Sequence, residues 1–162
     1  MERSGHAFIK KRFLERGSAL AGEISGHFFF GDIGYDDGLY TALCLADIMK
    51  KTGKKLSELT ADIPKTLITP DIRVPVAYSM QQMLLDRLKE RAQGYRLSLL
   101  DGVRIETEDG WLLVRKSVTE EVMTVRMEAK DAAALEKLSG LLAELVPEIG
   151  APVKDVTDRM SI

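Results

Sequence analysis

Between Val103 and Met127 apolar and polar residues alternate in three successive runs, and no other stretch limits the possible folds so sharply. Val103, Ile105 and Thr107 fall on one face of an extended segment, because strand side chains project with period two. Glu108-Asp109-Gly110 makes a tight turn into a second segment, residues 111–115. Met123, Val125 and Met127 alternate with Val122, Thr124 and Arg126 in a third. Strands with one apolar face need helices to cover it. One helix is expected over residues 79–92, with Met80, Met83, Leu84 and Leu88 on its apolar side and Gly94 after it. Another is expected where Leu135, Leu138, Leu142 and Leu145 recur at three- and four-residue steps. Residues 66–76 read as a further strand, which Pro70 and Pro75 assign to a sheet edge. The order β-α-β-β-β-α describes an α+β domain over residues 57–146, with helices on one face of a mainly antiparallel sheet. Residues 147–162 read as a loosely ordered tail.

The first part, residues 1–56, is less self-sufficient and reads as an α/β fragment. Residues 6–16 form a helix with Phe8, Ile9 and Phe13 on its apolar side and Gly17 as its stop. Residues 20–30 read as one extended segment, ending in three phenylalanines that require burial. Asp36 or Asp37 caps a second helix, whose apolar positions Leu39, Leu43, Leu45 and Ile48 run on toward Lys51, with Gly53 ending it. A single strand between two helices has nothing to pair with. The segment is therefore expected to belong to a larger α/β domain, or to complete its sheet by homo-oligomerisation.

Composition excludes several classes. With 45% hydrophobic and 30% charged residues the chain is an ordinary globular one, not a disordered one. A net charge of −2 gives no broad pull toward nucleic acid, so no nucleic-acid partner is expected. No apolar run approaches the roughly 18–20 residues that span a bilayer, so no membrane partner is expected either. The charged amino terminus lacks the apolar core of a secretory signal, and the lone Cys44 cannot form an internal disulfide; a cytoplasmic setting is expected.

Three groups of side chains could carry chemistry. In Gly22-Glu23-Ile24-Ser25-Gly26-His27, extended geometry would aim Glu23, Ser25 and His27 at one spot, a set suited to sugar hydroxyls. His6 and Lys10 lie one helical turn apart, thickened by Lys11 and Arg12, and could meet a phosphate. Arg115, Ser117 and Thr119 follow a strand into a turn, where a planar guanidinium, hydroxyls and backbone amides suit phosphate oxygens. On spacing alone these also fit a solvated strand end, a solvated helix face and a polar hairpin turn. Two histidines twenty residues apart and one cysteine make no zinc pattern, and capping accounts for Asp36 and Asp37, so no metal ligands are assigned. No GxSxG, Walker or GxGxxG motif is present, and no catalytic residue is assigned.

Together these segments resemble the α-D-phosphohexomutase family of phosphomannomutases and phosphoglucomutases. GHAFIKKRF, LAGEISGHFFF and YDDGLYTALCLADIM are similar to the end of its third domain, and GEISGH matches its sugar-specificity loop, G-E-x-S-G-H. DGVRIETEDGWLLVRKSVT resembles its fourth domain and phosphate loop. The resemblance implies hexose 1-phosphate and 6-phosphate interconversion. Glu23, Ser25 and His27 would then recognise the sugar, His6 and Lys10 would meet the substrate, and Arg115, Ser117 and Thr119 would grip the phosphate not being transferred. The family loop reads R-x-S-N-T-x-P, whereas Val118 and Glu121 depart from it and Glu120 adds another negative charge. The family's phosphoserine and magnesium loops belong to its first two domains, so this chain is expected to bind no cofactor, to be inactive alone and to partner with those domains. Magnesium is expected only of a complete enzyme. The alternative is a non-catalytic binding or self-assembling protein built on the mutase fold.

Overall fold

A computed structural model describes residues 2–3, 5–117 and 120–160, which fall into two compact units, Met1–Pro64 and Lys65–Ile162.

In the second unit the alternating runs become β7 (Val103–Thr107), β8 (Gly110–Lys116) and β9 (Val122–Ala129), joined antiparallel. β6 (Arg96–Ser98) extends the β7 edge, a strand too short to leave a periodic signature. The expected strand over residues 66–76 is interrupted: β4 (Leu67–Ile68) and β5 (Ile72–Pro75) both pair with β9 at the opposite edge. At the break, buried Thr69 donates its N–H to Met127 O at 2.9 Å and accepts the Met127 N–H on its hydroxyl at 3.0 Å. The Thr69 hydroxyl thus takes the place of a backbone carbonyl acceptor for Met127 at the break between β4 and β5.

Ile72, Val74, Val103, Ile105, Leu112, Val114, Met123, Val125 and Met127 face one side and are buried. α4 (Tyr78–Arg91) and α5 (Ala132–Leu145) cover that side. The buried residues of α4 are Gln81, Leu84, Leu85 and Leu88, while Met80 and Met83 are exposed, so its inner face is turned from the one expected. Gln81 is inward because its amide donates to Val76 O at 2.9 Å, satisfying a buried polar group. In α5, Leu135, Leu138 and Leu142 are buried as their spacing requires.

The expected tail is instead a helix, α6 (Pro147–Arg159), which buries Ile149, Val153 and Thr157. It crosses α5 so closely that a Cβ on Gly150 would lie 2.3 Å from the Ala143 backbone.

The first unit opens with α1 (His6–Arg16), closed by Gly17 in the left-handed region at φ 57. The expected single strand is a meander of three: β1 (Leu20–Gly22), β2 (Phe28–Phe30) and β3 (Tyr35–Asp36), all antiparallel. The reversal occurs at Glu23–Gly26, where Gly26 adopts φ 91 and its N–H donates to Glu23 O at 3.0 Å. The glycine makes this turn cheap, and a run that reads as extended folds back on itself. The strands are therefore paired within the unit, and the expected lone strand is not found. Only the middle phenylalanine, Phe29, is fully buried, packed with Ile9, Phe13 and Ala21; Phe28 and Phe30 alternate to the other side. α2 (Gly38–Thr52) is capped by Asp37, whose carboxylate accepts from Tyr40 N at 2.9 Å, and a short α3 (Leu56–Leu59) follows. No residue of α2 is buried: Leu39, Leu43 and Ile48 are 72%, 59% and 48% exposed. Among the described residues no helix is long and apolar enough to cross a membrane.

Candidate functional site

Each unit carries one group of site residues. In the first, the turn changes the geometry that an extended segment would have. Glu23 N donates to His27 O at 3.1 Å, so Glu23 and His27 flank the mouth of a hairpin while Ser25 sits exposed in its turn. The premise that residues 23, 25 and 27 alternate along one strand fails, because hairpin pairing now relates Glu23 to His27. The Glu23 carboxylate reaches the start of α1, accepting from Gly5 N at 3.4 Å. Negative charge there complements the free amides of a helix N-terminus.

His6 begins α1 and meets the same corner. Its Nε2 lies 2.8 Å from Asp36 Oδ1, and His27 Nδ1 lies 2.7 Å from Asp36 Oδ2. The two imidazoles meet edge to face with centroids 4.9 Å apart, and the His6 ring leans on Phe29 at 5.2 Å. Asp36 is thus a bridge between histidines, not a helix cap; Asp37 alone caps α2. Hydrogen bonds from His6 and then His27 hold the Asp36 carboxyl well below the usual carboxylate range, at about 2. An ionised carboxylate only accepts, so both facing nitrogens donate, which leaves His6 Nδ1 and His27 Nε2 as the ring atoms able to accept. Lys10, half-buried one turn further along α1, makes no ion pair among the described residues.

This arrangement has a signature in acid. Because the Asp36 carboxyl is held down in the folded state, its contribution to stability is complete above about pH 4. The contribution is lost as pH falls through about 2. Urea midpoints are expected to drop across that window and to drop less steeply in Asp36→Asn. Parallel slopes in the two proteins would show that the imidazole contacts do not stabilise the carboxylate.

In the second unit a cavity of about 260 Å³ is lined by Asp71, Arg73, Arg115, Lys116, Ser117, Glu120 and Thr124. Arg115 and Ser117 therefore share one concavity, while Thr119 and Val118 lie outside the described residues. β5 and β8 flank β9, so Arg73 and Arg115 both sit opposite Thr124. Arg115 is drawn toward two carboxylates, Asp71 at 3.6 Å and Asp101 at 3.7 Å. Ser117 Oγ accepts from Glu120 N at 3.2 Å.

The two glutamates that depart from the family loop behave differently. Glu120 pairs with Arg73 at the cavity wall. Glu121 turns to the start of α4, accepting from Tyr78 N at 3.3 Å, where it caps a helix that has no side-chain cap of its own. Only one of the two charges lines the cavity, and it is compensated.

Asp36, Asp71 and Arg73 are site residues that sequence reasoning missed. For Asp36 a signal existed: two adjacent aspartates precede a helix whose cap needs one. For Asp71 and Arg73 it lay in the edge strand, since β5 pairs with β9, the strand that follows residues 117–121.

The family description "Phosphoglucomutase/phosphomannomutase, alpha/beta/alpha domain III" matches residues 1–67, and "Phosphoglucomutase/phosphomannomutase, C-terminal domain" matches residues 72–145. A phosphomannomutase/phosphoglucomutase of Pseudomonas syringae pv. tomato is 35% identical over 160 residues, covering 94% of this chain and 34% of the relative. A phosphomannomutase of Methanocaldococcus jannaschii is 33% identical over 148 residues, covering 88% of this chain and 32% of the relative. A crystal structure of a phosphoglucomutase/phosphomannomutase family protein from Burkholderia thailandensis superposes with a TM-score of 0.77 at 34% identity, covering 91% of this chain and 32% of that one. The chain spans about a third of the length of the curated relatives it matches. It belongs to the phosphoglucomutase/phosphomannomutase family, of which it carries the end of domain III and the C-terminal domain.

Proposed function

We propose that the chain is the substrate-recognition portion of a phosphohexomutase, holding a hexose phosphate whose 1- and 6-phosphates are interconverted by a complete enzyme. The observation that carries this reading is the meeting of Glu23, His6 and His27 at one hairpin mouth, with Asp36 fixing both imidazoles. Glu23 and Ser25 accept and donate at ring hydroxyls. Held from behind by Asp36, His27 offers Nε2 to the sugar, and His6 and Lys10 meet the substrate beside it. Arg115, Ser117 and Thr119 grip the phosphate not undergoing transfer, with Arg73 adding a second guanidinium to that wall. Binding energy realised at this remote phosphate positions the reacting one. Transfer itself needs a phosphorylated nucleophile and a divalent cation, and none of the described residues is assigned to either. The chain alone is expected to be inactive, and magnesium is a requirement of the complete enzyme only. A reducing cytoplasm suits its single thiol, Cys44.

Calorimetric titration with glucose 6-phosphate and mannose 1-phosphate tests the assignment. Glu23→Gln keeps the shape and removes the charge, and it is expected to weaken binding about tenfold, the order of one charge-assisted hydrogen bond. Equal affinity in both proteins would remove Glu23 from the site.

A second reading has one specific observation behind it. Leu39, Leu43 and Ile48 on α2 are exposed, and Leu39 and Leu43, one turn apart on one face, suit a partner surface in a non-catalytic assembly protein. Absence of hexose phosphate binding together with a stable oligomer in light scattering would favour that reading over the first.

A further inference from the structure

We infer that His6, His27 and Asp36 form a binding site for a late first-row divalent cation, Zn²⁺ or Co²⁺, separate from any magnesium of the complete enzyme. Their three ligand atoms, two imidazole nitrogens and one carboxylate oxygen, all lie within 4.8 Å of one another. Linear spacing hides this, because the residues come from three elements gathered by the fold. His6 stands in the first turn of α1, His27 at the entry to β2, and Asp36 on β3 opposite Phe29.

The donor set has the composition of an open zinc site. Two imidazoles and a carboxylate supply three ligands, leaving a fourth tetrahedral position for water or a hydroxyl. Nitrogen donors select against magnesium, which prefers oxygen in an octahedral shell, and favour the late first-row ions. Around an ion at ~2.1 Å, tetrahedral ligands stand roughly 3.4 Å apart. The histidine–aspartate separations, 2.8 and 2.7 Å, run to different carboxylate oxygens, Oδ1 and Oδ2, so with either oxygen as ligand one contact opens slightly while the carboxylate and the other imidazole draw together. A neutral imidazole that donates to Asp36 binds metal by moving its proton to its other nitrogen, so small side-chain shifts and a change of tautomer suffice. The side chains of His6 and His27 are 42% and 45% exposed, which leaves an ion a path to enter. The supporting contacts are rigid ones: Phe29 is fully buried beneath the His6 ring, and β2 pairs directly with β3.

The consequence for function rests on the proposed sugar reading: an ion that takes both imidazoles and Asp36 competes with hexose phosphate for the hairpin mouth. Metal binding itself does not depend on that reading and is measured without sugar.

The experiment titrates Co²⁺ into tag-free protein and follows its visible absorption, which intensifies in a tetrahedral nitrogen–oxygen site. Zn²⁺ is then added to displace it. One equivalent is expected to bind, and His27→Gln and Asp36→Asn are each expected to weaken binding roughly a hundredfold. Cys44→Ser is expected to bind as wild type. With only two histidines in the chain, imidazole resonances in the unmodified protein give a readout free of any folding defect, and both should shift on Zn²⁺ addition. Failure of Co²⁺ to bind, binding that survives both substitutions, or loss in Cys44→Ser would each overturn the site. Metal binding without any hexose phosphate binding would uphold it and refute the sugar reading.

Discussion

Gly150→Val is expected to destabilise the second unit by about 3 kcal/mol, seen as a lower urea midpoint with an unchanged denaturant slope. The cost follows from the approach of α6 to α5. A first side-chain carbon at residue 150 would stand 2.3 Å from the Ala143 backbone and 2.4 Å from the Leu142 carbonyl carbon. Those atoms belong to a helix that cannot swing aside as a flexible side chain would. α6 must back away, and the contacts of Ile149 and Val153, both fully buried, would open with it. A loss below about 1 kcal/mol would mean that the two helices part at little cost.

Phe29→Ala is expected to remove about 3–4 kcal/mol and to unfold the first unit under mild conditions. Phe29 is fully buried, and the cluster around it contains only Ile9 and Phe13, with Ala21 partly buried against them. A core this small has no neighbours to take over the lost contacts. Amide exchange in α1 and β2 measures the effect, because a local opening there accelerates exchange even where the second unit stays folded. The same substitution removes the surface beneath the His6 ring, so the His6–Asp36 contact should loosen in parallel. Unaltered protection in α1 would assign the stability of this unit elsewhere.

How far the fold could be read depended on how many physical signals coincided. In β7, β8 and β9 period-two alternation, a turn at Glu108–Gly110 and a leucine-spaced helix all agree, and the register follows. In α4 they conflict: methionines at 80 and 83 look like core, but Gln81 finds two backbone acceptors inside and takes an inner position. α6 was hidden by its own composition. Pro147 stands at the first helical position, where its missing N–H costs nothing, and Gly150 is required by the helix crossing, yet together they look like breakers. The candidate site was legible as residue types. Glu23, His27 and His6 stand in recognisable strings, but their mutual geometry depended on a glycine turn that reads as strand. Asp36 was lost to ambiguity, since an aspartate before a helix is most economically a cap.

The helix at the end of the chain also separates two ideas of where a protein stops. The match to the family's C-terminal domain description stops at residue 145, whereas the packed interior continues through Ile149 and Val153 to Thr157. A truncation at residue 145 would leave an oily strip along α5 facing water, and the resulting polypeptide would be prone to clump. A domain description and a packed core have different edges, and the core is the one a truncation must respect.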